Sequence, residues 1–156
     1  MAIELTEGER WDLLEDNMVM RLATVNPYGL PHVLPLWYFA DREEEAVFFS
    51  TPEDSRKMRD LDETPKASLT VDEGEYYFDL RAVVAEGDAT KVEDDRLAAR
   101  VEREWCRKYF DQEERPEFMD LLYEGRPWVW CRVDPARWTS WDNSRIDIER
   151  LREGRG

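Results

Sequence analysis

The chain is poor in the residues that several kinds of chemistry require. Its 156 residues include one histidine, His32, and two cysteines, Cys106 and Cys131. Two cysteines so far apart make neither a disulfide framework nor a Cys-x-x-Cys motif. A zinc centre or a Ser-His-Asp triad would have to grow around one imidazole with no clustered partners, so no metal site and no triad are expected. No apolar run reaches the roughly 18 residues that span a bilayer. The opening MAIELTEGER has neither the basic flank nor the apolar stretch of a signal peptide. A cytoplasmic protein is expected. Lysine is scarce too, confined to Lys57, Lys66, Lys91 and Lys108.

Acid is abundant. There are 37 Asp and Glu against 22 Lys and Arg, a formal net charge of −15. Such a surface repels phosphate backbones and anionic headgroups, which excludes nucleic acid and membrane as partners. Dense carboxylates repel one another, and concentrated salt screens that repulsion, so the balance favours a salt-loving cytoplasm over an ordinary acidic, arginine-rich protein. With 42% hydrophobic residues and seven tryptophans, the chain can bury a core as one domain over 1–156.

Residues 6–17 read as an opening helix, with Thr6 and Glu9 at capping-box spacing. Strands are expected at 18–25, 30–40 and 46–50, then a helix at 54–61. Further strands are expected at 67–71 and 76–92, the latter with a bulge or bend at Gly87. Helices at 93–110 and 116–124 precede last strands at 128–133 and 137–141 and a tail from 143. This pattern implies an α+β, mainly β domain: a small antiparallel barrel with peripheral helices.

Two segments carry candidate chemistry. Pro31 and Pro35 remove N–H donors from the same edge of the 30–40 strand. That edge is either blunted against aggregation or partly open to the polar rim of a flat heterocycle. Next, Ser50-Thr51 lead through a turn into Ser55-Arg56-Lys57 at a helix start. Helix starts present free N–H groups to anions, and an Arg-Lys pair suits a phosphate monoester. Alternatively, the two cations lie on a solvated face balanced by Glu53, Asp54 and Asp60.

Arg21-Leu-Ala-Thr-Val25, the run from Asn26 to Trp37, Phe49-Ser-Thr51, Ser55-Arg56-Lys57 and the stretch from Leu80 to Val92 resemble the pyridoxamine 5′-phosphate oxidase-like family. Ser140-Trp141-Asp142 is similar to a closing motif of some of its branches. The resemblance implies an FMN-binding split β-barrel, a homodimer with the cofactor between subunits, and a flavin-dependent oxidoreductase acting on a small substrate. By position, Arg56 and Lys57 would hold the FMN phosphate, with Thr51 and Ser55 assisting. His32, Val33, Leu34, Pro35, Leu36 and Trp37 would line the ribityl chain and ring, and Ser50 and Arg81 or Ala82 would lie further out. Trp37 is expected to stack or gate; no residue is an evident catalytic acid or base. The pyridoxal phosphate-forming oxidases carry a C-terminal Arg-Leu signature without a counterpart here, so that reaction is not expected. The alternatives are a deazaflavin-dependent reductase and a non-enzymatic flavin or haem binder, with His32 the one imidazole available. The crowding of Trp128, Trp130, Trp138 and Trp141 suits a subunit interface, the alternative for one or two of them being packing under the 93–110 helix.

A charge balance of this kind makes stability depend on salt. The melting temperature is expected to rise across a potassium chloride series. A flat or falling melting temperature would contradict the salt-loving reading.

Overall fold

The computed structural model describes residues 3–154; residues 1–2 and 155–156, the outer ends of the expected helix region and tail, lie outside them. The chain opens with α1 (Glu7–Asp16), and the expected capping box is present, Thr6 and Glu9 each accepting from the other's backbone N–H. Strands β1 (Met20–Val25), β2 (Pro31–Leu36), β3 (Phe39–Asp41) and β4 (Ala46–Pro52) follow, then α2 (Arg56–Glu63). After β5 (Lys66–Glu73) and β6 (Arg81–Lys91) come α3 (Asp95–Phe110) and α4 (Glu117–Leu122). β7 (Trp128–Asp142), a short 3-10 turn and α5 (Ile148–Glu153) complete the chain. Among the described residues no helix is long and apolar enough to cross a membrane.

All strand pairs are antiparallel, and the sheet runs β2-β1-β5-β6-β7-β4-β3. Its two edges, β2 and β3, are consecutive in the chain and joined only by Trp37 and Tyr38. A two-residue link cannot cross a flat seven-stranded sheet, where neighbours lie about 4.8 Å apart. The sheet therefore curls until its edges meet: a split barrel. The inside is filled by Leu22, Phe49, Leu69, Val71, Val83, Cys131 and Val133, with Trp11, Leu13 and Leu14 of α1 added. β4 is buried on both faces, because Phe48 on its outer side packs with Val101, Trp105 and Trp130 under α3.

Three expectations need correction. The single strand at 30–40 is two strands, because the chain changes pairing partner at Trp37 while its alternation of side chains continues unbroken. The strand expected from residue 76 starts at Arg81; residues 76–80 form a turn held by hydrogen bonds from Asp79 and Leu80 N–H to the Tyr76 carbonyl. The two last strands are one. Pro135 does not end β7 because the register slips at Glu86/Gly87, and the bulge absorbs the extra residue. Gly87 is required there: a Cβ would sit 1.9 Å from the Asp134 carbonyl oxygen.

The link at the seam is clamped by the end of α3. Trp37 stacks on Tyr109 with ring centroids 4.3 Å apart and planes within 9°. Tyr38 is fully buried, and its N–H donates to the Tyr109 hydroxyl at 2.9 Å. The Lys108 ammonium donates to the Tyr38 carbonyl at 3.3 Å and lies 4.0 Å from the Tyr38 ring centroid. Burial pushes the Lys108 pKa down to about 8, against the pull of Glu15 and Asp16. The charged ammonium is therefore penalised in the fold below that pH, and the penalty fades as pH climbs from about 8 toward the unfolded value near 10.4. Burial raises Tyr38 and Tyr109, an effect of opposite sign that begins only around pH 10, where unfolded tyrosine ionises. Burial also raises the Cys106 thiol to about 11 and Cys131 to about 12, which lowers stability once unfolded thiols ionise at about pH 8.5. The Lys108 contribution is therefore read as a difference: between about pH 8 and 10 the parent is expected to gain stability relative to Lys108→Met. Denaturant titrations at each pH measure this; identical slopes in parent and variant would contradict it.

Candidate functional site

Where the barrel splits, a cleft of about 560 Å³ opens between the end of β2 and the β4–α2 junction. The β2 side supplies Leu34, Pro35, Leu36 and Trp37, and the junction supplies Ser50, Thr51, Ser55, Arg56 and Lys57. The two segments singled out in the sequence thus face each other across one space. They meet because β2 and β4 stand on opposite sides of the seam.

The junction is built by local hydrogen bonding. Ser55 caps α2, its Oγ accepting from Met58 N–H at 3.3 Å and from the buried Thr51 hydroxyl at 3.0 Å. The amides of Arg56 and Lys57 open the helix and have no intrahelical acceptor. No acidic residue stands in that first turn. Glu53, Asp54 and Asp60, the carboxylates expected to balance the two cations, are engaged elsewhere. Glu53 pairs with Lys91 at 2.9 Å, and Asp54 pairs with Arg126. Asp60, 2% exposed, accepts from Thr24 Oγ1 at 2.8 Å and lies 3.0 Å from His32 Nδ1. Neither Arg56 nor Lys57 forms an ion pair among the described residues. Burial lowers the Lys57 pKa, as expected of an ammonium without a carboxylate beside it.

Three residues expected at the site are not brought to it. His32 is turned toward α2, where it pairs with Asp60. Val33 lies on the alternate, outward side of β2, 57% exposed. Arg81 stands at the start of β6 in an ion pair with Glu73 at 2.6 Å; Ala82, its alternative, is buried within the sheet. In their place the structure adds a wall that the sequence did not reveal: Trp105 from α3, Met119 and Tyr123 from the α4 region, and Arg126 and Trp128 before and in β7. The only signal of that wall was the excess of tryptophan near the C-terminus. That excess is mostly spent inside the chain. Trp130 packs edge-on to Trp105, and Trp138 packs edge-on to Trp11 of α1.

The cleft therefore has a cationic, hydroxyl-lined end at α2 and an aromatic end at Trp37, Trp105 and Trp128. It can hold an elongated ligand with an anionic group at one end and a planar group at the other.

Comparison with known proteins agrees with this architecture. Residues 7–142 match the model of the family described as pyridoxamine 5′-phosphate oxidase. No curated protein matches the chain. Among solved structures, a conserved hypothetical protein of Mycobacterium tuberculosis is 26% identical, with TM-score 0.77 over 92% of this chain and 89% of that one. An F420 reductase is 24% identical, with TM-score 0.64 over 86% and 98%. The haem storage protein HutZ of Vibrio cholerae is 21% identical, with TM-score 0.68 over 86% and 94%. With the family match covering most of its length and the split barrel shared by these structures, the chain belongs to the pyridoxamine 5′-phosphate oxidase family.

Proposed function

We propose that the chain is a flavin-dependent oxidoreductase holding FMN in the seam cleft, its phosphate at the start of α2 and its ring along β2. One observation carries the reading. In a chain of charge −15, Arg56 and Lys57 stand together at a helix start without ion pairs among the described residues, while Glu53, Asp54 and Asp60 are each held by another partner. A phosphate supplies the missing anion, and the cleft volume falls in the range of about 300–1,000 Å³ usual for cofactor sites. When bound, the flavin supplies the redox chemistry. The chain's part is to bind and orient it: Arg56 as a fork of donors, Lys57 as a point charge, Ser55 and Thr51 as hydroxyls, Leu34, Leu36 and Trp37 as an apolar bed.

The likeness to an F420 reductase supports a second reading, a phosphate-bearing deazaflavin on the same residues. The haem alternative is less well supported, because His32 is held by Asp60 and does not line the cleft. We also propose a homodimer. Tyr28, Leu30 and Val33, at and beside β2, are 89%, 62% and 57% exposed, and β2 is an edge strand among the described residues. A second copy packed there would cover apolar surface next to the open side of the cleft.

Arg56→Ala with Lys57→Ala is expected to weaken FMN binding by about a hundredfold or more, since each charge-assisted contact is worth about 1.5–3 kcal/mol. Thermal melts should show the double variant folded, and riboflavin, which lacks the phosphate, should bind the parent poorly. Equal affinity for riboflavin and FMN would leave the cradle without a role. Light scattering should give twice the chain mass, with or without FMN. A monomer that binds FMN tightly would defeat the dimer proposal and leave the cradle intact.

A further inference from the structure

Among the described residues β2 is hydrogen-bonded along one side only, to β1. Its sideways position is therefore set by what holds its two ends. The C-terminal end runs into Trp37, which stacks on Tyr109. The N-terminal end is held by one buried polar cluster. Asp60 of α2, 2% exposed, accepts at Oδ2 from the Thr24 hydroxyl at 2.8 Å and from His32 Nδ1 at 3.0 Å. A carboxylate only accepts, so Nδ1 carries the proton. Thr24 and His32 face each other in the β1–β2 register, and one oxygen thus grips both strands of the hairpin. Among the described residues, His32 to Asp60 is the only hydrogen bond that joins β2 to α2.

The two ends of the cleft depend on that joint. Asp60 stands one helical turn after Arg56 and Lys57. His32 shares a face of β2 with Leu34 and Leu36, which line the cleft. The Thr51–Ser55 bond ties the start of α2 to β4, not to β2. Met58 and Leu61 anchor α2 in the core, but apolar contact is non-directional and sets no fixed spacing. A hydrogen bond to a buried carboxylate does, because a sideways slip of β2 leaves Asp60 with the Thr24 bond alone, and buried charge is costly without its partners.

We propose that His32 and Asp60 are positioning residues: they fix the spacing between the phosphate cradle and the ring bed, and so make the cleft selective for a phosphomonoester and a planar ring joined at one separation. The inference rests on the flavin reading. The pair acts through Arg56 and Lys57 on one side and through Leu34 and Leu36 on the other. Joining two binding groups raises affinity only while both engage at once. Loosening the joint therefore weakens the joined ligand and spares its halves.

Titrations of FMN and riboflavin followed by flavin fluorescence, and of inorganic phosphate followed by phosphorus NMR, test this in the parent, His32→Ala and His32→Asn. Ala removes the donor, whereas the Asn amide places its nitrogen where Nδ1 stands. Thermal melts check that each variant is folded; should His32→Ala not fold, His32→Leu fills the space without a donor. The Ala variant is expected to bind FMN about tenfold more weakly, with riboflavin and phosphate within about twofold of their parent affinities, and Asn is expected to recover most of the loss. Unchanged FMN affinity in a folded variant without the donor overturns the proposal. So does an equal loss for FMN, riboflavin and phosphate, which marks a general structural defect. A parent that binds FMN no better than riboflavin or phosphate overturns the flavin reading and this proposal together; a parent that binds FMN tightly beside an unaffected variant overturns this proposal alone.

Discussion

The chain passes from one edge of its sheet to the other in two residues, Trp37 and Tyr38, and that short link shapes everything around it. It forces seven strands to curl until β2 and β3 meet, and it leaves a seam where backbone pairing stops. It also sets the end of β2 opposite the β4–α2 junction, so that a strand edge and a helix start share one cleft. The clamp on the link comes from α3, through the Tyr109 hydroxyl, the Lys108 ammonium and the stack of Trp37 on Tyr109. The same helix carries Trp105 into the cleft and Glu102 into an ion pair with Arg115 behind it. Barrel closure and site assembly are one event.

Charge is distributed so that the cleft stands apart from the rest of the surface. Many arginines lie in pairs or small networks, Arg42 with Asp12 and Glu15, Arg100 with Asp41 and Glu44. Exposed pairs of this kind contribute little each, about 0–1 kcal/mol. Nearer the cleft, Glu53, Asp54 and Asp60 are held by Lys91, Arg126 and His32, and Arg56 and Lys57 form no ion pair among the described residues. Toward the aromatic end the reverse holds: Arg115 is paired with Glu102 behind the cleft wall. The two ends thus suit different parts of what binds there, an anion at α2 and a planar group at the aromatic end.

What could be read from sequence was what short segments encode. The Thr6–Glu9 box, the helix start at Ser55 and the bulge at Gly87 each depend on a few adjacent residues, and each is where the sequence placed it. The exchange of partners at Trp37 left no trace, because side chains alternate through the break as they would in one strand. Pro135 was misleading for a related reason: a bulge tolerates proline inside a continuous strand, and the bulge depends on Gly87, nearly fifty residues away in the chain. Half of the cleft was legible, since β2 and the β4–α2 turn are local motifs. Trp105, Met119, Tyr123, Arg126 and Trp128 were not, because only long-range packing of α3 and β7 brings them there. His32 was assigned to the cofactor as part of a run; it shares the face of Leu34 and Leu36, but the buried Asp60 holds it against the helix.

The central claim is that the seam cleft selects a phosphate-bearing flavin, and the most direct measurement is the absorption spectrum of the protein as purified, without added cofactor. The account predicts the two long-wavelength bands of an oxidised flavin, released on denaturation as FMN. The Soret band of a haem, or a colourless protein that stays colourless after incubation with FMN and gel filtration, would contradict it.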